Sequence, residues 1–435
     1  MPVPATGFFV KKRNVPPQSQ LTDDQLLDEV QRRAVLYFWE TADPQTGLVK
    51  DRASNFDDDR STEASSAATG YGLAALALGV EHGWLNRNEA ETRACDTLRF
   101  LLSMPNQHGW MLHFIDKRSG QRTWNSEFSS IDTALLLAGA IVCSEYFSSD
   151  DSPNEISVLV DSLYRRIDWG WMLTNGGGKP KKRVLSHGWH PETGFIGYDY
   201  GAYSEAIILY LLGLGAPENP LPKEAWEAIA RPMQTYNGVE SLKGGPIFIH
   251  QMPSGFFNFR NQRDKLGYDY WVSSTNAMQI NRQFCLDRSA EFRTYAEGFW
   301  GLNASDGPHG YAVYGAIEGP HDGTVSPTGA ICSILFAPEL ALSAARSLYD
   351  KHRLWGKYGF GNAFNIDRDW WDQEVIGIDL GMALLAIENY RTGLVWTLMH
   401  NFYSIGPALR AAGFHLTLEP NPRSVYSAGG DSILK

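Results

Sequence analysis

The segment Gly194-Phe195-Ile196-Gly197-Tyr198-Asp199-Tyr200-Gly201-Ala202-Tyr203-Ser204-Glu205, followed by Ala206-Ile207-Ile208-Leu209-Tyr210-Leu211-Leu212, contains the unit from which this chain is built. A loop of glycines and aromatics runs into an acid, and the acid opens an apolar run of helical composition. An acid in that position faces the positive end of the helix dipole. Aromatic rings around it (Trp189, Tyr198, Tyr200, Tyr203) desolvate the carboxyl and raise its pKa toward that of a general acid. The unit recurs further on. Trp355, Tyr358, Phe360, Trp370 and Trp371 fill a loop, Asp379 follows in Ile376-Gly377-Ile378-Asp379-Leu380-Gly381, and an apolar helix covers 382–390. A third junction is Ser129-Ser130-Ile131-Asp132-Thr133-Ala134-Leu135, preceded by Trp124 and Glu127.

Outward from these junctions the pattern is helical. Thr22 caps a helix whose apolar positions include Val30, Ala34, Leu36, Tyr37 and Phe38. Further helices are expected over 63–81, 88–103, 129–147, 155–172, 203–213, 222–231, 272–288, 327–335, 338–350, 380–390 and 392–412, the last breaking at Gly406-Pro407. Between them run loops rich in Gly, Trp, Tyr and Asp: 43–62, 104–128, 174–202, 240–271, 300–326 and 352–379. Long loops in compact domains usually carry function. About a dozen helices with long loops between alternate pairs predict an all-α fold, a closed double ring or (α/α)6 toroid whose loops build a cleft at one end. No fixed repeat period supports an open solenoid. Residues 1–20, rich in proline, are expected to form an extended arm, and 21–435 a single domain.

The 435 residues are 43% hydrophobic and 20% charged, which excludes global disorder. A net charge of −11 argues against nucleic acid and anionic membranes as partners and suits a neutral substrate such as a glucan. Fourteen Trp and nineteen Tyr fit a sugar-binding cleft or a large aromatic core. Cys95, Cys143, Cys285 and Cys332 form no CxxC pair, and no disulfide framework is implied. No run of about 20 apolar residues predicts a membrane span. The N-terminus has no signal-peptide pattern; the compartment is cytoplasmic, or periplasmic or secreted if a leader was removed, and the oligomeric state is open. Histidine spacing gives no zinc motif, Asp57-Asp58-Asp59 reads as a solvated turn, and Asn175-Gly176-Gly177-Gly178-Lys179 is not a phosphate loop. No metal or other cofactor is expected.

Glycoside hydrolysis needs two carboxyl groups, one protonated and one ionised. Glu205 and Asp379 are the candidates, each with a plain helix-terminal role as the alternative. Asp132 binds hydroxyls, acts as base or caps its helix. Glu297 and Asp306 stand among aromatics as subsite candidates, although Asp306 also suits a turn before Gly307. Glu388, deep in a helix with an arginine nearby, reads as a structural ion pair. Arg260 and Arg263 bind sugar or carboxylate, or serve structure.

Several segments jointly resemble the bacterial glucoamylase-like domain, the group that includes glycoside hydrolase family 144. They are Ser65-Ser66-Ala67-Ala68-Thr69-Gly70-Tyr71-Gly72-Leu73-Ala74, Gly109-Trp110-Met111-Leu112-His113-Phe114-Ile115-Asp116, the Ser129 and Tyr203-Ser204-Glu205-Ala206 junctions, Gly245-Pro246-Ile247-Phe248-Ile249-His250-Gln251, Arg282-Gln283-Phe284-Cys285, Trp300-Gly301-Leu302-Asn303-Ala304-Ser305-Asp306 and Ile387-Glu388-Asn389-Tyr390-Arg391-Thr392-Gly393. The resemblance spans about residues 24–412. It implies an (α/α)6 toroid hydrolysing β-1,2-glucan to short sophoro-oligosaccharides with inversion. Its general acid maps onto Glu205. Its base maps onto Asp379, where Leu380 replaces the usual glutamine. Trp110, Trp189, Trp271, Trp300 and Tyr311 are the expected stacking residues. Asp132, His113, Tyr203, Arg260, Glu297 and Asp306 are the expected polar substrate contacts. The alternatives are an exo-acting or transglycosylating enzyme of the same fold, a non-hydrolytic glucan-binding protein, and a helical scaffold.

Overall fold

The computed structural model describes residues 21–148, 154–351 and 353–417. The expected arm over 1–20 lies outside these residues. Helices dominate: α1 (Asp23–Thr41), α2 (Ser66–Glu81), α3 (Arg87–Ser103), α4 (Ser130–Phe147), α5 (Glu155–Arg165), α6 (Trp169–Leu173), α7 (Ile207–Leu214) and α8 (Lys223–Ala228) fill the first half. The second half holds α9 (Phe248–Phe256), α10 (Tyr270–Asp287), α11 (Arg293–Ala296), α12 (Pro327–Ile331), α13 (Pro338–Tyr349), α14 (Gly377–Arg391), α15 (Leu394–Asn401) and α16 (Ile405–Ala411).

Their ends follow the sequence chemistry. The Thr22 hydroxyl accepts from the Gln25 amide while the Gln25 side chain accepts from the Thr22 amide, a reciprocal box that opens α1. Ser65, Asn86, Ser129 and Asn154 cap α2, α3, α4 and α5 in the same way, each accepting from the amide three residues on. Two classes of helix result. Nearly every residue of α2, α4, α7, α9, α12 and α14 is buried. By contrast α1, α3, α5, α10 and α13 bury one face, as helices at the outside of a core do. The buried class packs on itself: α2 on α4 and α14, α4 on α7, α7 on α9, and α14 on α9 and α12. The half-buried class flanks it, with α1 against α2 and α14, α5 against α4, α10 against α9 and α13 against α12. The helix α4 is long and apolar enough for a bilayer, but 83% of it is buried inside the protein.

The tightest approach joins α2 and α4. A Cβ on Gly139 would lie 1.8 Å from the carbonyl oxygen of Gly70, and a Cβ on Gly70 2.5 Å from that of Leu135. Only bare backbone permits this distance.

Several boundaries differ from the sequence expectation. Residues 63–65 are a strand pairing with Phe114–Asp116, not the start of α2. The 155–172 span divides at 166–168, and 392–412 divides at 402–404 rather than at Gly406-Pro407. The helix α9 occupies a stretch expected to be loop. It contains Pro253 and Gly255, poor helix formers whose cost is outweighed by burial of the whole segment. The loops carry short strands. Arg52–Ser54 pairs antiparallel with Glu374–Ile376, and Met111–Leu112, Phe128–Ser129, Gly188–His190 and Gly194–Phe195 form one four-stranded sheet. All four cysteines are free; Cys143 is buried as expected, whereas Cys95 is half-buried.

Gly139→Ala is expected to lower stability by about 1–3 kcal/mol through overpacking at the helix crossing, measured by urea unfolding. A change under 0.5 kcal/mol (the usual range for a surface substitution, about ±0.5) would show that the two helices can separate at little cost.

Candidate active site

Asp132, Glu205 and Asp379 stand at or just ahead of the N-termini of the buried helices α4, α7 and α14. The expectation that Glu205 lies inside its helix is corrected by one turn. The helix α7 starts at Ile207, and the Glu205 carbonyl accepts from the Ile208 amide at 3.1 Å. Asp379 is in the first turn of α14, but the cap position is Ile376, so capping does not explain it.

Glu205 is half-buried at the surface, with its carboxyl in the protein. Burial pushes its pKa up to about 7 against a hydrogen bond from Tyr200, with the charge of Asp132 adding to the rise. Tyr200 is itself pinned: its ring stacks on His187 at 3.8 Å, and its carbonyl accepts from Tyr210. Tyr203, expected to touch substrate, is buried behind Glu205, with its hydroxyl 3.1 Å from His250 Nδ1 and its ring on Tyr270. It braces the junction.

Next to Glu205, the Ser129 hydroxyl donates to Asp132 at 2.6 Å. His113 sits between two carboxylates, with Nδ1 3.0 Å from Glu127 and Nε2 3.6 Å from Asp132. Burial alone would lower the pKa of His113; Asp132 and Glu127 overcome this and raise it to about 9. His113, Glu127 and Asp132 are close enough together to suit a cation. An imidazolium, however, has no free lone pair to offer one, and the charge between the two acids is already supplied.

Asp379 is 5% exposed. Burial raises its pKa to about 8, assisted by Asp306 and Asp51 and opposed by a hydrogen bond from Asn362 and by Arg52. Asn362 serves both acids, donating to Asp379 and accepting from the Asp306 amide. The strand pair 52–54 with 374–376 delivers Arg52 into this group. Its Nη1 lies 3.0 Å from Asp306 and 3.2 Å from Glu374, and its Nε 3.5 Å from Asp51. Five carboxyls (Asp51, Asp306, Asp372, Glu374, Asp379) thus gather around one guanidinium. Protonation relieves the crowding: burial, with Asp306 and Glu374, pushes Asp372 up to about 7. Asp51 is also raised, by burial against the pull of Arg52 and His113. Tyr311, 55% exposed, overhangs the group, and its phenol is raised by burial of its hydroxyl end and then by Asp379, Asp306 and Asp51.

Residues 197–403 match the family model described as "Putative glucoamylase". An exo β-1,2-glucooligosaccharide sophorohydrolase (non-reducing end) of Parabacteroides distasonis is 29% identical over 415 residues, which are 87% of this chain and 56% of that protein. The chain therefore spans little more than half the length of this curated relative. Among solved structures, one of the same glucoamylase description from Bacteroides uniformis matches with a TM-score of 0.84 at 29% identity, covering 91% of this chain and 98% of that one. An endo-β-1,2-glucanase from Chitinophaga pinensis, solved with sophorotriose and glucose, matches with a TM-score of 0.83 at 26% identity over 91% and 99% of the two chains.

Several expected contacts lie elsewhere. Trp110 is fully buried, bonded to the Asp168 carbonyl and packed on Trp169, so it has no face for a sugar. Trp300 is 4% exposed and is likewise core. Arg260 lies between Trp271 and Trp396, 4.6 Å from each ring. It follows the C-terminus of α9 and is held by these two rings. Glu297 pairs with Lys351 at the surface, 2.7 Å away. Trp189 is half-buried against Phe128 and Trp171 in the four-stranded sheet. Glu388 is structural as expected, but its partners are His82, Gln31 and Thr392 rather than Arg391. Asp51, Arg52, Asn362, Asp372 and Glu374 were missed. The signal available for the last two was their position in the aromatic loop just before Asp379.

Both candidate acids have folded pKa values above their unfolded ones. Each stabilises the fold fully below about pH 4 and loses that contribution as pH rises through about 7 for Glu205 and about 8 for Asp379. Glu205→Gln and Asp379→Asn are therefore expected to melt above wild type at pH 9, by on the order of 3 kcal/mol for Glu205. The difference should vanish near pH 4. Equal melting across the whole range would contradict the raised values.

Proposed function

We propose that this protein is an inverting glycoside hydrolase of β-1,2-linked glucans. The observation that carries the reading is the pair of acids with raised pKa values, Glu205 and Asp379, at the N-termini of two buried helices and joined by one continuous group of charges. The nature of the glucoamylase-like relatives supports the choice of substrate. The reading also takes the buried helices α2, α4, α7, α9, α12 and α14 as the inner ring of an (α/α)6 toroid. Their packing runs from α2 through α4, α7 and α9 to α14 and back to α2, with α12 packed on α14, which supports closure. The chain from residue 21 onward is read as one domain.

In this mechanism Glu205, holding its proton near neutrality, donates it to the glycosidic oxygen as the C1–O bond breaks. Asp379 in its ionised form takes a proton from water, whose oxygen bonds to C1 from the opposite face. Positive charge developing on the sugar ring is met by Asp132 and the acids around Arg52. His113 and Arg52 place positive charge beside those acids while no sugar is present. The competent form carries the proton on Glu205 and not on Asp379. Its abundance is greatest between the two apparent pKa values, which belong to the coupled pair.

The test is hydrolysis of linear β-1,2-glucan by wild type and Glu205→Gln, with β-1,3-glucan, β-1,4-glucan and starch alongside. Wild type is expected to release sophoro-oligosaccharides as the α-anomer, read by proton NMR, and the variant to be slower by about 10²–10⁴-fold. Equal activity in the variant removes Glu205 as the acid, and a β-anomer removes inversion. The kcat/KM profile is expected to be a narrow bell with limbs at about 7 and about 8. In Arg52→Gln the alkaline limb should move up, because Asp379 loses the nearby positive charge.

A further inference from the structure

We propose that Trp124 is the platform of an additional sugar subsite, stacking on a pyranose ring of the glucan on the Asp132 side of the acids. The inference rests on the reading of the substrate as a glucan.

Trp124 is 59% exposed, the one exposed tryptophan of fourteen. It is not left there by a loose loop. Residues Thr123–Ser126 form a closed turn, with the Ser126 amide donating to the Thr123 carbonyl at 3.0 Å. Both central residues have positive φ, 51° for Trp124 and 50° for Asn125. Such a turn favours glycine or asparagine at both places. Asn125 satisfies that preference, whereas a tryptophan in the left-handed region is strained. Strain of this kind persists where the surroundings over-determine it, commonly at ligand clamps.

Arg122 supplies the constraint. Its Nε donates to the Ser126 carbonyl, its Nη2 donates to the Asn125 carbonyl at 2.7 Å, and both terminal nitrogens reach Glu192 at 2.6 and 3.0 Å. The guanidinium thereby ties the turn to the neighbouring hairpin that carries Trp189. The Trp124 ring then rests on Phe114 at 4.9 Å with a tilt of 60°, and Phe114 stacks on His113 at 3.7 Å. Trp124 is thus the outer end of a row of rings whose inner end contacts Asp132. An indole fixed in an exposed turn beside charged groups offers an apolar face to the C–H side of a sugar. Asn125, Arg122 and Glu192 lie beside it for the hydroxyls.

Trp124→Gly and Trp124→Tyr, each in a Glu205→Gln background, separate a binding role from a structural one. Glycine relieves the turn, so Trp124→Gly is expected to melt at or above its parent while binding sophorohexaose about tenfold more weakly by calorimetry. Sophorose, which can fill the acids' side of the site and leave the indole uncovered, should weaken less than twofold. Trp124→Tyr should keep most of the affinity. Unchanged hexaose affinity in Trp124→Gly overturns the subsite even where the glucan reading stands. If the parent binds β-1,3- or β-1,4-oligosaccharides instead, and that binding falls in Trp124→Gly, the subsite stands and the linkage reading fails. Absence of binding to any of these oligosaccharides overturns both.

Discussion

The distance between α2 and α4 constrains everything built above the helices. Gly70 and Gly139 let the two backbones meet without side chains between them, and α2 also packs on α1 and α14. Protein interiors pack as densely as organic crystals and do not absorb a shift in one helix. Widening this crossing would displace the strand Phe114–Asp116 that pairs with residues 63–65, and the sheet that precedes α4. His113 immediately precedes that strand, and Asp132 lies in the first turn of α4. A second close approach ties in the other acid: a Cβ on Gly381 would lie 2.2 Å from the Tyr71 ring, which brings the start of α14 against α2. Two glycine contacts thus set the spacing of the two helix ends that carry Asp132 and Asp379.

Upon that frame the electrostatics are collective. Glu205 feels Asp132; Asp132 is held by His113; Asp51 feels both His113 and Arg52; Arg52 bridges to Asp306 and Glu374, and these act on Asp372 and Asp379. No member has its own environment, and substitution of one redistributes protons among the rest. Burial is the first cause of the rise at both Glu205 and Asp379, and the neighbouring charges adjust it. The two cations stand at different points of the row, His113 on the Glu205 side and Arg52 on the Asp379 side.

Legibility in the sequence divided along physical lines. The helices α2 and α4 were readable because a serine cap precedes an apolar run, both local signals. Glu205 and Asp379 were readable for the same reason, being acids at loop-to-helix junctions. The helix α9 was not, because its Pro253 and Gly255 mark a loop locally, while its helicity is decided by packing against α10, α14 and α15. The boundary at Glu205 was misplaced for want of a side-chain cap, since Ala206 supplies none. Arg52 was invisible because its partner Glu374 is 322 residues away, and only strand pairing brings them together. Tryptophan burial was the least legible property. Trp110 and Trp124 occur within one loop, yet the first is core and the second faces solvent, a difference set by the backbone turn at Thr123–Ser126 and not by composition.

Under the proposed glucan reading, the carboxyls around Arg52 also bear on which sugars the site would admit. One guanidinium does not balance five carboxyls, and the mutual repulsion that adds to burial in raising Asp372 and Asp379 would also oppose further negative charge brought among them. A neutral glucan crosses that field without penalty. A chain bearing uronate, sulfate or phosphate substituents would have to bring counter-ions with it or leave its charge outside. Discrimination by repulsion requires no contact with the rejected group, so in the proposed enzyme this group of acids would act as a charge filter upstream of any recognition of linkage.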